Sequence, residues 1–185
     1  MQEEITISVT PGAGGKETED FAYMLASAYE RWGAKRGRPV GIFKEDGSWF
    51  VMICDETAHE LLTGEVGVHS LCRISPYDPQ RRRHTSFVEV EIVVPQHIRA
   101  ALDRAGIRTY TLDPYKRAKD HRTGIETEDV HGVLAGDLGA FMQGWIAAGK
   151  PEAPDLPPMP PQRPLSAAEL AAAHEIIAKY EKSKR

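Results

Sequence analysis

The chain is poor in cysteine: its 185 residues hold two, Cys54 and Cys72, with no C-x-x-C pair and no zinc-type spacing. That argues against a disulfide framework and a cysteine-built metal site, and both thiols are expected to act as small buried hydrophobes. No stretch approaches the roughly 18 unbroken apolar residues of a spanning helix, and the opening MQEEITISV has no basic region followed by an apolar run. A cytoplasmic protein without a membrane partner is the expectation. Positive charge is also in deficit. Lys and Arg total 23 against 27 Asp and Glu, a net charge of -4, which excludes coating of nucleic acid by bulk charge but leaves local basic patches open. The seven histidines form no H-E-x-x-H, no pair at helical spacing and no cluster with carboxylates, so neither a metal nor any other cofactor is expected. No G-x-S-x-G and no Cys/His signature marks a nucleophile.

What is present suits a soluble α+β domain of ordinary size, with 41% hydrophobic and 27% charged residues. Residues 4–10 alternate, Ile5, Ile7 and Val9 against Thr6, Ser8 and Thr10, which predicts a half-buried strand. Phe21, Met24, Leu25, Ala28, Tyr29 and Trp32 then recur at helical spacing, predicting a helix over 17–37 packed on a sheet. Strands over 39–44 and 48–54 flank Glu45-Asp46-Gly47, a hairpin signal. A helical turn over 57–62, strands over 67–74 and 86–94, an extended stretch over 107–112 and one or two helices within 132–149 follow. The sheet is expected to be mostly antiparallel, with four or five strands, and 95–106 to be a short helical bridge. Seven prolines within 150–164 predict a stiff extended linker. Ser166-Ala167-Ala168-Glu169 is a capping box opening a C-terminal helix over 166–185.

Two segments carry recognition chemistry. Gly12-Ala13-Gly14-Gly15 sits between a strand and a helix without the spacing of a dinucleotide or phosphate loop; backbone N–H groups there can still meet an anion or a base edge. The connector over 75–85 holds Pro76, Tyr77, Pro79, the run Arg81-Arg82-Arg83 and His84: rings for stacking, and guanidinium forks suited to phosphates. On composition alone a solvated hairpin loop is the simpler reading.

The motifs resemble those of bacterial class I peptide chain release factors. Gly12-Ala13-Gly14-Gly15-Lys16-Glu17, opening a helix with Tyr29, Arg31 and Trp32, is similar to the start of that family's second domain. Residues 64–73, GEVGVHSLCR, resemble its G-x-H-R-x-x-R region, with Ser70 where Arg is usual. Ser75-Pro76-Tyr77-Asp78 with Arg82-Arg83-His84-Thr85-Ser86-Phe87 resembles the Ser-Pro-Phe loop and R-R-H-T-S-F of the UGA/UAA-reading type. Residues 119–127 and 133–138 are similar to its C-terminal domain. The resemblance spans about 3–94 and 107–149.

It implies a decoding unit over 1–149, in which Gly14 and Glu17 meet the first codon base, Ser75 the second, His84 stacks and Thr85 lies beside the third, within a loop completed by Pro76, Tyr77 and Arg83. The family's catalytic domain, with its Gly-Gly-Gln tip, falls where this chain has only 95–106, and Gly14-Gly15-Lys16 is not that tip. The implied partners are the ribosome's decoding centre, a stop codon in mRNA and rRNA, with a separate Gly-Gly-Gln protein supplying hydrolysis in trans. The implied function is a non-enzymatic stop-codon reader in termination, ribosome rescue or its regulation. Two alternatives stay open: a protein-interaction module on a retained scaffold, and a stand-alone peptidyl-tRNA hydrolase.

Overall fold

The computed structural model of the chain describes residues 4–93 and 106–152. In chain order the elements are β1 (Glu4–Pro11), α1 (Lys16–Lys35), β2 (Val40–Glu45), β3 (Ser48–Cys54), α2 (Ala58–Thr63), β4 (Gly67–Ile74), β5 (Arg83–Ile92), β6 (Gly106–Thr111), β7 (Arg117–Asp120), β8 (Glu126–Thr127), α3 (Val130–Leu134) and α4 (Gly139–Ala147). The fold is α+β, with one eight-stranded sheet in the order β2-β3-β1-β5-β4-β6-β7-β8. Every neighbouring pair is antiparallel except β4 with β6.

One apolar cluster explains why the elements meet. The alternation in β1 sends Ile5, Ile7 and Val9 inward with Val51 and Ile53 of β3 and Val88 and Val90 of β5. Phe21, Leu25, Ala28, Tyr29 and Trp32 of α1 cover them, as the helical spacing predicts. Each such side chain contributes on the order of 1.5–3 kcal/mol when fully buried. Val130, Val133 and Leu134 of α3, Leu138, and Phe141 and Met142 of α4 extend the same cluster. At the β2–β3 hairpin Asp46 and Gly47 take φ of 47° and 86°, left-handed at both turn positions, which suits the right-handed twist of the strands.

The structure corrects the sequence reading in four places. The sheet has eight strands rather than four or five, because the extended stretch over 107–112 joins it as β6 and because β7 and β8 arise where no apolar alternation announces a strand. Strand β5 begins at Arg83, so Arg83, His84 and Thr85 are strand residues and the connector is 75–82. The helices near the end are α3 and α4, beginning at Val130 rather than 132. Both cysteines are half-buried rather than buried. The helical bridge, apart from Gly106, which starts β6, and nearly all of the Pro-rich linker and C-terminal helix lie outside the described residues. Among the described residues no helix is long and apolar enough to cross a membrane.

Candidate functional site: a connector docked on a helix start

Antiparallel pairing of β4 with β5 matches Arg73 to His84 and Ile74 to Arg83, and the connector closes where Ser75 N–H donates to the Arg82 carbonyl at 3.1 Å. Asp78 shapes what lies between. Its Oδ1 accepts from Gln80 N–H at 2.9 Å, and its Oδ2 accepts from Arg82 Nε and His84 Nε2, both at 2.7 Å. Arg82 foremost, then His84 and Gln80, hold the Asp78 carboxyl well below the usual carboxylate range. Because an ionised carboxylate only accepts, His84 presents Nε2–H to it, and the half-exposed ring is fixed in direction with Nδ1 left over.

The connector docks on the start of α1. Glu17, buried at 7% exposure, accepts from Ser75 Oγ–H at 2.7 Å and from Arg73 Nε at 2.6 Å. Arg73 reaches Asp20 with its other arm at 2.5 Å. Burial works against the Arg73 charge, but Glu17 and Asp20 outweigh it and raise its pKa. Ser75 is 3% exposed, and its oxygen also accepts from Tyr77 N–H at 3.1 Å. Tyr77 is 49% exposed. The Asp20 carboxylate beside it raises the pKa of its phenol, so the hydroxyl that Tyr adds relative to Phe has a partner.

The helix start is shaped by glycine. Gly15, the N-cap, has φ 62°, and Gly14 has φ 153° with its α-carbon so close to Thr18 that a Cβ would come within 2.1 Å of Thr18 Oγ1. No side chain caps the helix, so the first-turn N–H groups have no side-chain acceptor at the cap. Glu17 and Glu19 in that turn complement the helix dipole.

Of the residues singled out in the sequence, the structure joins Glu17 to Ser75 directly and orders His84 through Asp78. Gly14, Pro76, Tyr77, Arg83 and Thr85 are exposed. Arg73, Asp20 and Asp78 were missed. Asp78 had a readable signal: an Asp two residues ahead of a free N–H tends to capture it and set a turn. Ser70, standing where Arg was expected, donates to Thr109 Oγ1 at 3.0 Å, and Thr109 Oγ1 lies 2.7 Å from His121 Nε2. Among the described residues no group of three or more His, Cys, Asp or Glu is placed to hold a metal ion.

A helix start and an aromatic, Arg-bearing connector held together by a buried carboxylate make up a surface suited to single-stranded RNA. Residues 2–90 match the PCRF domain. The chain is 27% identical to peptide chain release factor 2 of Thermotoga petrophila over 232 residues, covering 74% of this chain and 63% of that protein. It is 29% identical to peptide chain release factor 2 of Paramagnetospirillum magneticum, covering 77% and 63%. The chain thus spans less than two thirds of the length of the curated relatives it matches. Its fold resembles that of RF2 of Thermus thermophilus, with a TM-score of 0.67 and 23% identity over 80% of this chain and 69% of that one. The chain thus carries a PCRF domain over 2–90 and is similar to part of the length of peptide chain release factors.

Proposed function

We propose that the chain binds ribosomes, sets the α1 start and the 75–85 segment against mRNA in the decoding centre, reads UGA or UAA, and does not itself hydrolyse peptidyl-tRNA. The observation that carries this reading is the Glu17–Ser75 hydrogen bond, which places two segments 58 residues apart on one surface. Around it stand the chemical means of reading a single strand: uncapped N–H groups, the Tyr77 and His84 rings, and the Thr85 hydroxyl. The case against hydrolysis is internal to the chain. The alignment with the Thermotoga relative runs over 232 residues, more than the 185 of this whole chain, so that relative carries residues within the aligned span that this chain lacks. No Gly-Gly-Gln occurs in the sequence. Ester hydrolysis relies on a positioned water, and the sequence holds no G-x-S-x-G and no Cys/His nucleophile signature in place of that tip. A separate Gly-Gly-Gln protein acting in trans fits such a division of labour in termination, rescue or its regulation.

The test is binding to ribosomes carrying UGA, UAA or a sense codon in the A site. Stop codons are expected to bind tighter, and His84→Ala to remove about 1–3 kcal/mol of that preference, the worth of one stacked base. Equal affinity for stop and sense codons refutes codon reading. Peptide release above background by the purified chain alone refutes the non-enzymatic part.

A further inference from the structure

At the end of the sheet that carries the connector, a second turn runs alongside it. Strands β4 and β6 are parallel, so both finish there: Leu112 N–H donates to the Cys72 carbonyl at 2.8 Å, and Ile74 N–H donates to Asp113 Oδ2 at 2.9 Å. The β6–β7 turn, 112–116, is thereby tied to the residue before Ser75. Cross-strand pairing then sets a row across four strands, Thr85–Cys72–Thr111–Arg117, in which opposed residues share one face. Arg117 accordingly stands on the same face as Thr85 and Arg83, three strands over, or about 14 Å at the usual strand spacing.

The turn displays an unusual side chain. Tyr115 is 51% exposed, and the Arg117 guanidinium sits 5.2 Å from its ring centre, with Nη2 donating to the phenol oxygen at 3.4 Å. Among the described residues, four large hydrophobic side chains are exposed, and three of them, Ile74, Tyr77 and Tyr115, lie at this end. Charge gathers there too. Arg73, Arg81 to Arg83, Lys116, Arg117 and Lys119 outnumber Glu17, Asp20, Asp78, Asp113 and Glu126 although the chain as a whole is acidic. Glu126, 3.9 Å from Arg117 and 3.5 Å from Lys119, offsets part of that charge; Asp78 and Asp113 are already committed to the connector.

An exposed ring flanked by cations is how sequence-tolerant RNA surfaces are built, the ring stacking on a base and the cations meeting phosphates. We infer that Tyr115, Lys116 and Arg117 form a second RNA-binding platform, which grips ribosomal RNA beside the codon whatever the codon is. The inference rests on the ribosome-binding reading and adds a contact that carries affinity without sequence information. The partner is RNA backbone rather than protein because the platform combines a stacking face with positive charge that Glu126 only partly offsets, next to the proposed codon-reading surface.

The experiment is binding of the full chain to ribosomes programmed with UGA or with a sense codon, measured between 50 and 200 mM salt. The double variant Lys116→Ala, Arg117→Ala is expected to weaken both complexes by the same factor. It should also lower the slope of log affinity against log salt by about 1.4 to 1.8, two phosphate contacts at 0.7 to 0.9 each. Tyr115→Ala should weaken both about fivefold or more, with the slope unchanged. All three side chains are partly or largely exposed, so thermal melts matching the parent are expected and exclude unfolding as the cause. Unchanged affinity and slope, or a loss confined to the stop codon, overturns the inference. The two proposals fail separately: equal parental affinity for stop and sense codons sinks codon reading alone, and intact binding by the platform variants alongside a His84→Ala effect sinks the platform alone.

Discussion

Replacing Arg108 by Met tests what closes the sheet across the chain's two described segments. Arg108 of β6 is wholly buried and donates to both oxygens of Glu65, at 2.6 and 2.7 Å, and to Asp120 Oδ2 at 3.2 Å. Its guanidinium lies 4.2 Å from the Phe141 ring centre. Met keeps the apolar contact with that ring but strands the carboxylates unequally. Asp120 retains Arg122, at 2.7 Å, whereas among the described residues the Glu65 carboxylate retains only the Tyr29 hydroxyl, at 3.0 Å. One uncompensated buried charge therefore remains, and breaking such a pair costs about 3–5 kcal/mol. For a chain of this length each kcal/mol lowers Tm by about 2–4 °C, so a fall of roughly 6–20 °C is expected. Adding Glu65→Gln removes the stranded charge while keeping an acceptor for Tyr29, and should recover a large part of the loss. Thermal and urea melts at pH 7 measure both variants. A cost below about 1 kcal/mol for Arg108→Met, or a double variant no better than the single one, refutes this account.

Three further outcomes follow from particular contacts. Burial, and then the Arg108 charge, push His69 down to about 4, so from pH 6.5 toward 4 the unfolded chain binds a proton that the folded one refuses. Stability should fall over that window as pH drops, by up to about 3 kcal/mol from this group, and His69→Gln should flatten the dependence; an unchanged slope rejects the assignment. Gly14→Ala sets a methyl against Thr18 Oγ1 at a left-handed φ and should cost about 1–3 kcal/mol in a urea melt, whereas a neutral result would mean that the helix start is not constrained. Asp78→Asn should free the His84 ring, read as weaker stop-codon preference with ribosome affinity on sense codons unchanged; equal losses on both would remove its positioning role.

Legibility in the sequence tracked how local each cause was. The Asp46-Gly47 turn and the stripe of α1 follow from side chains within a few residues of one another, and both stand as the sequence predicts. Strand β7, Arg-Ala-Lys-Asp, offers Ala118 as its one apolar residue and exists because β6 pairs with it. Residues 107–112 read as extended, but their parallel pairing with β4 has no local signal, since a parallel neighbour is set by a distant crossover. Arg83, His84 and Thr85 read as a connector by polarity, while Asp78 folds the turn tightly enough for the ladder to reach them. At the site, motif resemblance found Glu17 and Ser75 separately; only topology reveals that they touch and that Arg73 neutralises the carboxylate between them.

That contact sets the terms on which a second codon base could be read under the proposed function. The Ser75 hydrogen is given to Glu17, and one lone pair takes the Tyr77 N–H, so the group has only acceptor capacity left. An acceptor suits the N6 amino group of adenine, whereas O6 of guanine needs a donor. Reading guanine therefore requires the hydroxyl to turn away from Glu17, whose charge stays compensated by Arg73 at 2.6 Å during the exchange. The strength of the Ser75–Glu17 bond then weighs adenine against guanine. A bond to a carboxylate is worth roughly 1.5–3 kcal/mol and a neutral one about 0.5–1.5, so Glu17→Gln should ease the turn by about 1 kcal/mol. Affinity for UGA relative to UAA should rise about fivefold in that variant on programmed ribosomes, with overall stability lowered by a similar 1–3 kcal/mol through the weakened Arg73 pair. A ratio that stays fixed, or moves toward UAA, would show that Ser75 reads the second base independently of Glu17.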